Sequence, residues 1–88
     1  MNNADRKLVR KLLITLNEKP KIFTRFPNSQ VLNVHCARIM GCDVATAKRV
    51  IEEAHTKDWI RSKGQSGSGD EMTITGDGRE ELEKPISP

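Results

Sequence analysis

Residues 33–52 constrain this chain more than any other stretch. They combine a small residue, a glycine and an apolar series at the spacing of two helices that meet at a tight turn. Ala37 is small enough for a second helix to approach closely, and Gly41, four residues on, tolerates the positive φ that such a turn asks for. Cys36, Met40, Cys42, Ala47 and Val50 fall at the inward positions. Asp43 is suited to cap the second helix, with Thr46 in its first turn.

The flanking segments supply the rest of a single domain. With 88 residues the chain is long enough for one domain, and its small core gives dimerisation something to add. Residues 4–17 predict a first helix. Leu8, Val9, Leu12, Leu13 and Leu16 form its apolar stripe, and Arg6, Lys7, Arg10 and Lys11 its outer face. Asp5 suits the helix N-terminus, where a carboxylate meets free N–H groups, and Pro20 ends the helix. Ile22, Phe23 and Phe26 suggest a short strand, and Pro27-Asn28-Ser29 is turn chemistry. From there either residues 31–36 pair back on 22–26 as a hairpin, or a second helix begins between Asn28 and Asn33. The helix is preferred because the segment after it needs one.

Residues 56–63 predict a strand around Trp59 and Ile60, followed by a Gly/Ser loop from Gly64 and a second strand over 72–75. Gly76 and Gly78 suggest a further turn, and 79–84 a turn or two of helix before Pro85. The domain is expected over 1–84, with 85–88 a flexible tail.

Charge is unevenly spread. Residues 1–69 hold thirteen Lys/Arg against six Asp/Glu, a balance of +7, whereas 70–88 hold two against six, a balance of −4. A basic body attracts polyanions, although a solvated surface with an acidic end accounts for the charge alone.

Gly-Cys-Asp-Val-Ala-Thr-Ala-Lys-Arg-Val-Ile, from Gly41 on, resembles the turn and recognition helix of bacterial helix-turn-helix repressors. Thr75, Gly78 and Leu82 match the strand-to-helix passage after the wing of many winged-helix regulators. Lys57-Asp-Trp-Ile60 is similar to the turn that leads into that wing. The resemblance covers roughly residues 33–82. It implies an α+β winged helix: a three-helix core containing the helix-turn-helix, with a two- to three-stranded β-wing. The implied function is sequence-specific binding of double-stranded DNA as a transcriptional regulator, acting as a homodimer on paired half-sites, with occlusion and hence repression the simplest mode.

In that family the recognition helix, here 44–55, enters the major groove. Ala47, Val50, Ile51 and Ala54 would face inward. Ala45, Arg49 and Glu52 would face outward, with Thr46, Lys48 and Glu53 on the flanks. Arg49 is the expected base reader, since its fork suits guanine O6 and N7. Lys48 and Thr46 suit phosphate, Ala45 a thymine methyl, and Glu52 cytosine N4. Arg61, Lys63 and Gln65, on a wing spanning 61–72, would reach the backbone or the minor groove. Arg10, Lys11 and Arg38 would add phosphate contacts. Glu52 and Glu53 argue the other way, because they put negative charge on this helix. With the acidic tail they support the alternative, a winged-helix protein-interaction module without DNA binding.

Other chemistry finds less support. His35, Cys36, Cys42 and His55 do not fit a common zinc spacing, and both cysteines fall on inward positions. No metal, cofactor, catalytic group or small-molecule ligand is expected. Ser66 and Ser68 have no base nearby, and the loop glycines open no helix. No secretory signal or membrane-length apolar run is read, and a reduced cytoplasmic setting is expected.

Overall fold

The structure, a computed structural model, describes residues 2–23, 26, 29–63 and 71–84, with the side chains of Ser29 and Lys63 left aside. The expected turn at Pro27-Asn28, the loop from Gly64 with Gln65, and the tail 85–88 lie outside the described residues. Among those described, the fold is α+β, with four α-helices and one two-stranded antiparallel sheet.

Helix α1 (Asn3–Glu18) begins one residue before its predicted start. Asn2 rather than Asp5 supplies the cap, its Oδ1 accepting the Asp5 N–H at 2.8 Å. Pro20 has no N–H to continue the helix, and Lys19 closes it by donating to the Thr15 carbonyl. The strand expected from Ile22, Phe23 and Phe26 is not formed among the described residues. Pro20–Phe23 is a 3₁₀ turn, and Phe26 makes only an isolated bridge. A strand there would alternate its faces, whereas the turn leaves Ile22 outside and drops Phe23 fully into the core. Between hairpin and helix, the continuation is the helix, α2 (Ser29–Met40).

Helix α2 ends at Gly41, whose φ is 72°. The Gly41 and Cys42 N–H groups both donate to the Ala37 carbonyl, at 2.8 and 3.1 Å. A Cβ on Gly41 would meet nothing within 4 Å, so glycine serves the backbone conformation here and not a close approach. Asp43, in extended conformation, then caps α3 (Val44–Thr56), accepting the Thr46 N–H at 3.3 Å.

From α3 the chain turns through Asp58, at φ 60°, a left-handed conformation that Asp tolerates better than most residues. The Trp59 N–H returns to the Ala54 carbonyl. Trp59 therefore belongs to this turn and not to the strand expected around it. It lies half-buried against the core, with Lys57 Nζ 5.5 Å from its ring centroid. Strand β1 (Ile60–Lys63) pairs with β2 (Glu71–Ile74) in the register Ile60↔Ile74 to Lys63↔Glu71. Ser62 Oγ lies 3.0 Å from His55 Nε2, tying the hairpin to the end of α3.

Gly76 and Gly78 do not form the expected turn but open a helix, α4 (Gly76–Glu83), because Thr75 caps it through the Gly78 N–H at 3.0 Å. Helix α4 docks along α1. Arg10 donates to the Lys84 and Leu82 carbonyls at 2.7 and 2.8 Å, and Arg6 meets Glu81 at 2.8 Å. The core inside these layers is aliphatic. Leu12, Leu13 and Leu16 of α1 meet Cys36 and Met40 of α2, Val50 and Ala54 of α3, Ile60, Met72 and Phe23.

Candidate nucleic-acid interface

Helix α3 divides along its length as its periodicity predicts. Ala47, Val50, Ile51 and Ala54 are buried. Ala45, Lys48, Arg49 and Glu52 are exposed along the opposite side, and Thr46 and Glu53 are partly buried beside them. Asp43 is held ionised below the usual carboxylate range by its hydrogen bonds from Thr46, first the hydroxyl and then the N–H. The front of the helix thus offers small and apolar groups at Val44 and Ala45, one cation at Lys48 and one anion at Glu52.

Arg49 is not free on this face. Its Nη1 and Nη2 meet Asp5 Oδ2 and Oδ1 at 2.6 and 3.0 Å, a bidentate pair that joins α3 to the first turn of α1. Asp5 has only 7% of its side chain exposed, against 52% for Arg49. Glu53 Oε1 stands a further 3.9 Å from Nη1. The hydrogen bonds from Arg49 hold the Asp5 carboxyl below its ordinary value against the opposing effect of burial, and they raise the guanidinium in return.

Asp5 was missed as a partner by sequence reasoning, yet a signal existed. It precedes Val9, Leu12 and Leu16 at helical spacing, so it sits on the buried stripe of α1. A carboxylate there requires a counter-charge from another element.

The remaining candidates divide the same way. Arg10 is spent on the end of α4. Lys11 and Arg38 are exposed. Arg61 is 70% exposed, with Asp58 at 3.6 Å. Lys63 ends β1. Gln65 lies outside the described residues.

The cysteines are buried and half-buried free thiols. Burial pushes Cys36 up to about 12 and also raises Cys42, where the charge of Asp43 adds to it, so neither is a ready thiolate at neutral pH. No group of three or more His, Cys, Asp or Glu able to hold a metal occurs among the described residues. No described helix is long and apolar enough to cross a membrane.

His35 has a structural position instead. Its ring packs against Phe23 and Phe26, with centroids 5.3 and 5.2 Å away, and its Nε2 is buried without a hydrogen-bond partner among the described residues. Burial, aided by the charge of Arg38, lowers its pKa below 6.5. A histidine whose folded pKa is lowered binds its proton first in the unfolded chain. Stability should therefore fall as pH drops from 6.5 to the lowered value. The depressed Asp5 carboxyl withdraws its own contribution only in stronger acid, below 3.8. Urea midpoints measured between pH 7.5 and 5 should show the first decline in the native chain and not in His35→Leu. Equal profiles for the two would remove His35 as its source.

Compared with protein-family models, curated proteins and solved structures, the chain matches none.

Proposed function

We propose that this protein is a winged-helix protein that binds double-stranded DNA, with α3 in the major groove and the β1–β2 hairpin against the backbone. One observation carries the reading. The tight Gly41 turn holds α3 across α2, an antiparallel hairpin follows directly, and the side of α3 turned away from the core stays exposed at Ala45, Lys48 and Glu52. Of the candidate cations, Lys48, Lys11, Arg38 and Arg61 are exposed and available for phosphate. A homodimer on paired half-sites, repressing by occlusion, is the simplest working form of such a small domain.

Four phosphate contacts imply that the logarithm of affinity falls with that of salt at a slope of about −3.6. Affinity for a random duplex should therefore drop about 100-fold between roughly 50 and 200 mM salt. Lys48→Ala should flatten the slope by about 1. Gel shift or fluorescence anisotropy checks both, and selection from a random DNA pool gives preferred sequence and half-site spacing. Absence of binding at low salt would rule the reading out. It would leave the protein-interaction module, which the neutralised Arg49 and exposed Glu52 favour.

A further inference from the structure

We propose that Asp5 acts as a positioning residue that withholds the Arg49 fork from the bases, so that the duplex is read without a guanine contact from Arg49. The inference rests on the DNA-binding reading of α3. It begins with geometry. The terminal nitrogens Nη1 and Nη2 are the pair an arginine presents to guanine O6 and N7, and here both are bonded to the two oxygens of one carboxylate, at 2.6 and 3.0 Å.

Asp5 is not able to follow Arg49 outward. It lies in the first turn of α1, its own N–H is tied to Asn2 Oδ1, and its side chain is almost wholly buried. Swinging the fork to a base would leave an ionised carboxylate in the interior without its partner, which is costlier than losing an exposed pair. A bidentate base contact returns about 1–3 kcal/mol of discrimination, and it would have to be made against that loss. Glu53, close to the same nitrogen, holds Arg49 in place further. Base discrimination then falls to the exposed side chains of α3 that no side chain among the described residues engages, chiefly Ala45, Lys48 and Glu52.

The test is selection from a random duplex pool at low salt with the full chain and three variants. In the wild type, the selected sites should be the same as in Arg49→Lys, which keeps the charge but has no fork. Asp5→Ala should free the fork and add a guanine preference of about tenfold at one position. The double variant Asp5→Ala with Arg49→Lys should lose that gain. A destabilised fold alone would weaken binding but would not create a new base preference. A guanine preference in the wild type that Arg49→Lys abolishes would overturn the inference and leave DNA binding standing. Identical sites for wild type and Asp5→Ala would overturn it as well. Failure of the wild type to retain any duplex would overturn the DNA-binding reading together with this inference. Should Asp5→Ala not fold, the comparison of wild type with Arg49→Lys still decides.

Discussion

Gly78→Ala is expected to cost this domain about 3 kcal/mol, at the upper end of what an overpacked site normally costs. The reason is a backbone junction with no slack. A Cβ at Gly78 would overlap the Trp59 carbonyl oxygen and come within 2.8 Å of Ile74 Cγ1. The side chain can move aside, but the carbonyl is committed, because it accepts the Thr75 N–H at 3.0 Å. Thr75 is equally committed: its hydroxyl donates to the Asp58 carbonyl at 2.5 Å and accepts the Gly78 N–H. Any retreat of Trp59 therefore disturbs the Asp58 turn, the hairpin and the cap of α4 together. Gly76→Ala is the internal control. Nothing stands within 4 Å of its Cβ, so alanine there should be neutral or slightly stabilising. Urea unfolding followed by the fluorescence of Trp59, the single tryptophan, measures both. Equal midpoints for the two variants would show that the junction yields.

That junction also explains why part of the fold was legible in the sequence. Thr75, Gly78 and Leu82 stand at a recognisable spacing because the cap, the close approach and the packing each demand one residue type at one offset. Gly41 and Ala37 were legible for the same reason: a positive φ and a helix crossing leave few choices. The two faces of α3 followed from periodicity. Residues 20–26 were not legible, since Ile-Phe beside Phe suits a strand as well as a turn, and only the depth of Phe23 in the core decides between them. The commitment of Arg49 was not legible either. Its partner lies 44 residues away, and periodicity sets which way a side chain leaves its helix but not which charge it finds there. Arg10 misled for the same reason: on the polar face of α1, a solvated arginine and one that caps a neighbouring helix look alike.

Phe23→Ala should come close to unfolding the protein. Phe23 is the largest of the fully buried side chains. Its ring also meets His35 of α2 edge-on. Truncating a buried phenylalanine costs about 3–5 kcal/mol, because the lost transfer energy is joined by a cavity that the surroundings only partly fill. The total available to a chain of this length is roughly 4–13 kcal/mol. Collapse into the gap is restricted, since the 3₁₀ turn is packed against both α1 and β2. His35 would suffer too, losing one of the two rings its imidazole packs against. The expected result is a urea midpoint shifted far down and, if the native stability is at the low end, a largely unfolded far-ultraviolet circular dichroism spectrum in buffer. Ile22→Ala, one residue earlier but 42% exposed, should change the midpoint little. A loss below about 1 kcal/mol for Phe23→Ala, less than any cavity of that size should cost, would mean that the turn repacks without it and that the core closes over α1, α2 and α3 alone.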